Sequence, residues 1–160
     1  MRPLFLMTLG AMLVLAVSST RLSAVEPANP ELGTWDFNPT KSTSTRRLAK
    51  SAMRTYERKG DAIKMTGEVV SQEGVRSEIG YTARYDGRDY PITGSADYTI
   101  AFTRTGPLSV EGIQKSGGKV VNTFTRVISG DGKLLTLTIQ GTNPKGEPFK
   151  HVLVFEKRSP

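Results

Sequence analysis

The sequence predicts an all-β protein, an antiparallel up-and-down β-barrel of about eight to ten strands. Apolar residues alternate with polar ones in nine short runs, and Gly, Asn, Asp and Pro separate the runs. Residues 51–157 show almost no helical period. Similar runs joined by short turns favour sequential hairpins, and closing such a meander removes its two exposed edges. A two-sheet β-sandwich has the same periodicity and is the alternative.

The first 24 residues have the pattern of a secretory signal peptide. Arg2 gives a positive start, residues 4–17 are almost wholly apolar, and small or polar residues follow to Ala24. The apolar run is shorter than the ~20 residues of a spanning helix, so a membrane anchor is the lesser alternative. We expect cleavage after Ala24, with a cut near Ser18 as the alternative, and a periplasmic or secreted protein.

The chain after the signal begins with a polar lead-in, residues 25–32, which has two prolines and is expected to be flexible. Residues 33–37 form the first run, which Asn38-Pro39 should end. Residues 40–50 are polar and basic and are expected to form a loop or one short helix. The remaining runs cover residues 52–58, 63–69, 79–85, 98–102, 108–110, 120–128, 135–139 and 149–155. Residues 33–158 are therefore predicted to form a single barrel domain.

Composition excludes several kinds of chemistry. The chain has 160 residues and no cysteine, so it has no disulfide, no thiolate metal site and no cysteine nucleophile. Its formal net charge is +7. Removal of the signal lowers the net charge to +5, because that segment holds two arginines and no acid. This modest excess predicts no nucleic-acid partner.

No catalytic constellation stands out in the sequence. His151 is the only histidine, and residues such as Asp86 and Asp131 stand in turn-like contexts, where Gly130-Asp131-Gly132 is typical of a hairpin. We therefore expect no enzymatic activity, no metal, no cofactor and a monomer.

A basic stretch lies within residues 46–59, where six cations face one acid. Such a stretch can dock weakly on anionic envelope surfaces, and a solvated loop is the simpler alternative. The cations are Arg46, Arg47, Lys50, Arg54, Arg58 and Lys59.

Aromatic residues in the strand runs suggest a lined interior, either a cavity for a small apolar ligand or a filled, dry core. The sequence does not decide which face of the run 120–128 points inward. Phe124, Arg126 and Ile128 share one face, and Val121, Thr123, Thr125 and Val127 share the other. The candidate cavity residues are Tyr56, Met65, Tyr81, Tyr85, Phe102, Phe124 and Arg126.

Gly33-Thr34-Trp35 opens the β region, and residues 152–157 form a closing strand. This arrangement resembles the calycins, the superfamily of lipocalins and fatty-acid-binding proteins. The resemblance implies a lipocalin-like barrel in which Trp35 packs across the closed end.

The chain is also similar to a group of small exported bacterial proteins. The shared residues are Gly33-Thr34-Trp35, Asn38-Pro39-x-Lys41-Ser42, Tyr85-Asp86-Gly87-x-Asp89-Tyr90-Pro91 and Gly130-Asp131-Gly132-Lys133. This similarity implies the fold and export, but no particular activity.

Many fatty-acid-binding proteins hold a carboxylate with an Arg-x-Tyr pair in the last strand. The matching positions here are Leu153 and Phe155, which cannot pair with an anion. We therefore expect neutral hydrophobes to bind at least as well as fatty acids of equal length. The alternative function is an envelope-interaction or inhibitor module with a filled barrel.

Overall fold

The computed structural model describes residues 29–159, which contain ten strands and no helix. Each strand pairs antiparallel with its neighbour in sequence, and the first pairs with the last. The prediction of a closed up-and-down barrel is confirmed. The predicted signal peptide lies outside the described residues. The strands are β1 (Gly33–Ser44), β2 (Ser51–Lys59), β3 (Ala62–Val70), β4 (Arg76–Ala83), β5 (Tyr90–Thr93), β6 (Ser95–Gly106), β7 (Ser109–Ser116), β8 (Lys119–Ile128), β9 (Leu134–Thr142) and β10 (Pro148–Lys157).

The strand that the nine runs missed is β5. It has four residues, and its register spans two residue pairs with β4 and three with β6. It includes Pro91, which lacks the N–H group of a regular ladder. A segment this short is below the length at which alternation can be recognised.

The first strand is longer than predicted. Asn38-Pro39 does not end β1, which continues to Ser44 through an irregularity in its pairing with β10. The side chain of Asn38 holds this bulge, because its Oδ1 accepts hydrogen bonds from the backbone N–H groups of Thr40 (3.0 Å) and Lys41 (3.1 Å). The expectation of a loop or helix over residues 40–50 is therefore wrong for 40–44.

The barrel is closed at one end and accessible at the other. On β4 the inward residues run from Ala83 (1% exposed) through Tyr81 (6%) to Ile79, which is partly exposed. On β9 they run from Leu135, fully buried, to Ile139, also partly exposed. We call the end near Ala83 and Leu135 the closed end, and the opposite end the open end.

Residues 29–32 seal the closed end. Trp35 is fully buried there, and its indole N–H donates to the carbonyl oxygen of Glu31 (2.9 Å). The ammonium group of Lys157 donates to the carbonyl oxygen of Pro30 (2.9 Å) and lies 5.1 Å from the centre of the Trp35 ring. These four residues of the lead-in pack against the barrel, because the Glu31 side chain pairs with a cation inside it.

The phase of β8 is settled by burial. Arg126 and Ile128 are buried, whereas Val127 between them is 45% exposed on the outer wall. Phe124 lies on the same inner face, opposite Gly112 of β7. A Cβ atom at Gly112 would overlap the ring of Phe124 and lie 2.6 Å from the carbonyl oxygen of Ala101, so only glycine leaves room for that ring.

Candidate ligand-binding site

A cavity of about 100 Å³ lies inside the barrel, between the closed end and the open end. Its wall is mainly apolar, and a hydrogen-bonded amide pair lies in it, where Asn122 donates to Gln114 (2.6 Å). The lining residues are Arg54, Met65, Ile79, Tyr81, Ile92, Ile100, Phe102, Gln114, Asn122, Phe124, Arg126, Leu137 and Ile139.

Arg126 lies on the closed-end side of this cavity and is 3% exposed. Its Nη2 lies 2.5 Å from Oε1 of Glu31, an ion pair that departs from hydrogen-bond geometry, and donates to the hydroxyl of Tyr85 (2.7 Å). Its Nη1 donates to the hydroxyl of Tyr81 (3.0 Å), and Tyr85 donates to Glu31. The guanidinium also lies 4.9 Å from the ring centre of Tyr56. A buried charge with this many partners is compensated.

The surroundings of Arg126 shift its pKa and those of its neighbours. Burial raises the pKa of Tyr81 well above its ordinary value, and the nearby Tyr56 adds to this. Burial and the carboxylate of Glu31 likewise raise the pKa of Tyr85, against the effect of Arg126. Burial alone would lower the pKa of Arg126, but the tyrosine and glutamate oxygens outweigh it and raise that pKa. Arg126 is therefore a guanidinium cation at neutral pH.

Arg54 is a second cation inside the barrel. It lies on β2, lines the cavity, and places its guanidinium 5.2 Å from the ring centre of Phe155. No carboxylate of the described residues lies within 4 Å of it. The hydroxyl of Tyr56, two residues along the strand, has no partner in hydrogen-bond geometry. Burial raises the pKa of Tyr56, but Arg126 and Arg54 outweigh burial and lower it.

The structure brings the predicted cavity residues together at one level of the barrel. Five of the seven line the cavity: Met65, Tyr81, Phe102, Phe124 and Arg126. Tyr56 and Tyr85 lie beside Arg126 on its closed-end side, and Trp35 lies at the closed end.

Two charged residues of the site were not among the predicted cavity residues. Arg54 could have been found, because it shares the inward face of its strand with Tyr56. Glu31 precedes the first run, so no periodicity marks it. The amides Gln114 and Asn122 were missed because polar residues at inward positions resemble a break in the pattern.

The basic stretch 46–59 does not form one surface. Arg46 stacks on Phe149 (5.0 Å) near the open end, and Arg47 pairs with Glu73 (2.8 Å). Arg54 faces the interior, whereas Lys59 is exposed at the turn between β2 and β3. The cations are thus distributed over the loop before β2 and along that strand, and contact with an anionic envelope surface stays a prediction.

His151 is partly buried near the open end. Its Nδ1 lies 2.6 Å from the hydroxyl oxygen of Ser44, and its ring stacks on Phe149. Burial and the nearby Arg46 lower its pKa. Within residues 29–159 no group of three or more His, Asp or Glu side chains is placed to hold a metal ion, and no helix there could cross a membrane.

Comparison with known proteins finds likenesses among solved structures. No family model matches the chain, and no curated protein matches it. Among solved structures the chain is similar to a siderocalin, Ex-FABP, which is described as functioning through dual ligand specificities. The match has 12% sequence identity and a TM-score of 0.36, and covers 82% of this chain and 74% of that one. At these values the likeness says nothing about what the present chain binds.

Proposed function

We propose that this protein is an exported, non-enzymatic binding protein that takes a small, mainly apolar molecule into its barrel through the open end. The observation that carries this proposal is the internal cavity, whose lining is mainly apolar and becomes progressively more exposed toward one end. Apolar surface removed from water contributes about 25 cal/mol per Å², so such a lining favours an apolar ligand.

The size of the cavity limits the ligand. Pockets that enclose drug-sized molecules hold about 300–1,000 Å³, whereas this cavity holds about 100 Å³. Large side chains such as Phe102 and Met65 fill the rest of the barrel level. The ligand is therefore either a short aliphatic molecule, or a longer one whose first few carbons enter while the remainder extends past the open end.

Export is part of the proposal and is supported by the sequence. A positive start, an apolar run and small residues before Ala24 have the pattern of a cleaved signal. A barrel without cysteine also has no disulfide that the redox state of its surroundings could form or break. We propose a periplasmic or secreted location on these grounds.

A titration with hexan-1-ol tests binding. Calorimetry should detect saturable binding to the wild type, and Ile139→Trp should abolish it because the indole would fill the cavity from its open side. Ile113→Trp is the matched control, since Ile113 lies on the outer wall between inward Gly112 and Gln114. The affinity of Ile113→Trp for hexan-1-ol should equal that of the wild type. Equal loss in both variants, or no binding by the wild type, would contradict the proposal.

A second candidate function is an interaction module that works through its rim. A depression of about 970 Å³ at the open end is lined by Tyr98, Val120 and Phe149, with the cations Arg46 and Lys150 beside them. Tyr98 is 37% and Val120 is 56% exposed, and both line this depression. In this case Val120→Asp should weaken partner capture while hexan-1-ol fails to bind the wild type.

A further inference from the structure

We propose that the ligand carries an anionic head group of carboxylate type, which binds the guanidinium of Arg54 on the cavity wall. This inference rests on the proposed function, because it specifies the ligand of the same cavity. It places the head group beside Arg54 and the apolar body toward the open end, against Ile79, Ile100 and Ile139.

The balance of charge inside the barrel supports an anion. Arg54 and Arg126 bring two positive charges, and Glu31 is the only carboxylate of the described residues within ion-pair distance of either. That carboxylate is engaged by Arg126 and Tyr85 on the side away from the open end. One positive charge is therefore uncompensated next to an apolar cavity, where a counter-charge gains most because water screens it least.

The hydrogen-bonding groups around the cavity show the same imbalance. The hydroxyl oxygen of Tyr81 accepts from Arg126, which leaves its own O–H without an acceptor among the described residues. The buried hydroxyl of Tyr56 has no acceptor in hydrogen-bond geometry within residues 29–159, and the charged groups that lower its pKa are the cations Arg126 and Arg54. With the N–H groups of Arg54, this part of the barrel has donors in excess of acceptors. A carboxylate has two acceptor oxygens and no donor, so it complements this surface.

Desolvation decides between an acid and a neutral analogue. A carboxylate that enters an apolar cavity loses its hydration, and this cost is offset only by a cation with further donors. Leu153 and Phe155 of the last strand supply neither, which was the basis for expecting neutral hydrophobes to bind as well as acids. The structure provides the cation from β2 instead, so we now expect the acid to bind more tightly.

Arg126 has a different role from Arg54. Its guanidinium is surrounded by Glu31, Tyr81 and Tyr85 at hydrogen-bond or ion-pair distance. It acts as a positioning residue that holds the hydroxyl of Tyr81 at the cavity wall. The ligand contact is assigned to Arg54, which is partly exposed and has no acidic partner.

The experiment compares hexanoate with hexan-1-ol by calorimetry at neutral pH. Hexanoate should bind the wild type at least about tenfold more tightly than hexan-1-ol does. This factor corresponds to the low end of the free energy that a hydrogen bond to a charged group contributes. Arg54→Gln should bring the two affinities together, and its urea-unfolding transition shows that the variant is folded. Arg54→Lys should retain part of the preference. Arg76→Gln, which removes an exposed cation paired with Glu68, should retain all of it.

Titration of the ligand gives a second, independent readout. The preference for the acid should disappear as the pH falls through the pKa of hexanoic acid itself, because the neutral acid and the alcohol then differ little. Equal binding of acid and alcohol by the wild type, or an acid preference that survives in Arg54→Gln, would overturn the inference while leaving cavity binding intact. Failure of both molecules to bind would overturn the proposed function together with it.

Discussion

At the scale of single residues, the ion pair of Glu31 and Arg126 couples the N-terminal segment to the barrel interior. Both side chains are 3% exposed. A buried pair is weak evidence of net stability, but removal of one partner leaves a charge without compensation. The pair therefore makes the sealing of the closed end depend on one carboxylate that precedes the first strand.

Replacement of this carboxylate should destabilise the protein strongly. We expect Glu31→Gln to lower the free energy of unfolding by ~3–5 kcal/mol, the usual cost of breaking a buried pair. The matched control is Glu68→Gln, which breaks the exposed pair with Arg76 and should cost less than ~1 kcal/mol. Urea unfolding measures both. Similar losses for the two variants would show that the Glu31 pair is not buried in solution.

The buried tyrosines should also be visible in alkaline solution. Tyr81 and Tyr85 have pKa values raised by burial, whereas unfolded tyrosines ionise near pH ~10. The folded state thus holds these two protons more tightly than the unfolded chain does. Their contribution to stability is complete below about pH 10 and is lost as the pH rises from there through the folded pKa values.

Phenolate absorbance followed against pH measures this effect. The chain has five tyrosines. Ionisation in the folded protein should be incomplete, and the remaining phenolates should appear only with unfolding. Tyr85→Phe should make the loss of stability at high pH less steep, because it removes one of the two groups whose pKa is raised in the folded state. Full ionisation of all five tyrosines before unfolding would contradict the burial of Tyr81 and Tyr85.

At the scale of strands, the contact between β7 and β8 depends on a glycine. Gly112→Ala should destabilise the protein by ~1–3 kcal/mol, because the added methyl group collides with the Phe124 ring and the Ala101 carbonyl oxygen. Gly130→Ala is the control. No atom lies within 4 Å of a Cβ at Gly130, so its stability should change by less than ~1 kcal/mol. If both variants are equally stable, Phe124 does not lie across Gly112 in solution.

The strands also show how far periodicity predicts structure. Alternation found nine of the ten strands, because inward and outward residues differ in polarity along most of each strand. It failed at Asn38-Pro39, where side-chain hydrogen bonds turn a stop signal into a bulge within β1. It failed again at β5, which is too short to alternate. The resumed pairing of β1 with β10 after the bulge, and the pairing of β5 with β4 and β6, are tertiary effects that the local sequence does not predict.

At the scale of the whole molecule, the closed barrel was predictable and its binding chemistry was not. Regular hairpins without helical segments favour closure, and the pairing of β1 with β10 confirms it. Four of the aromatic and apolar cavity residues, Met65, Tyr81, Phe102 and Phe124, followed from the same alternation. No local pattern could assign Glu31, because its role depends on Arg126, which the fold brings near it. Alternation with Tyr56 places Arg54 on the inward face of its strand, but the absence of an acidic partner for Arg54 among the described residues follows only from the fold.

The most direct test of an accessible interior is a methyl spectrum of isoleucine-labelled protein during titration with hexan-1-ol. The chain provides its own controls, because Ile79, Ile92, Ile100 and Ile139 line the cavity, whereas Ile63 and Ile128 do not and Ile113 lies on the outer wall. We predict that the first four methyl signals shift along one saturable curve and that the other three stay in place. Shifts confined to Ile113, or no shift at all, would contradict a ligand-binding barrel.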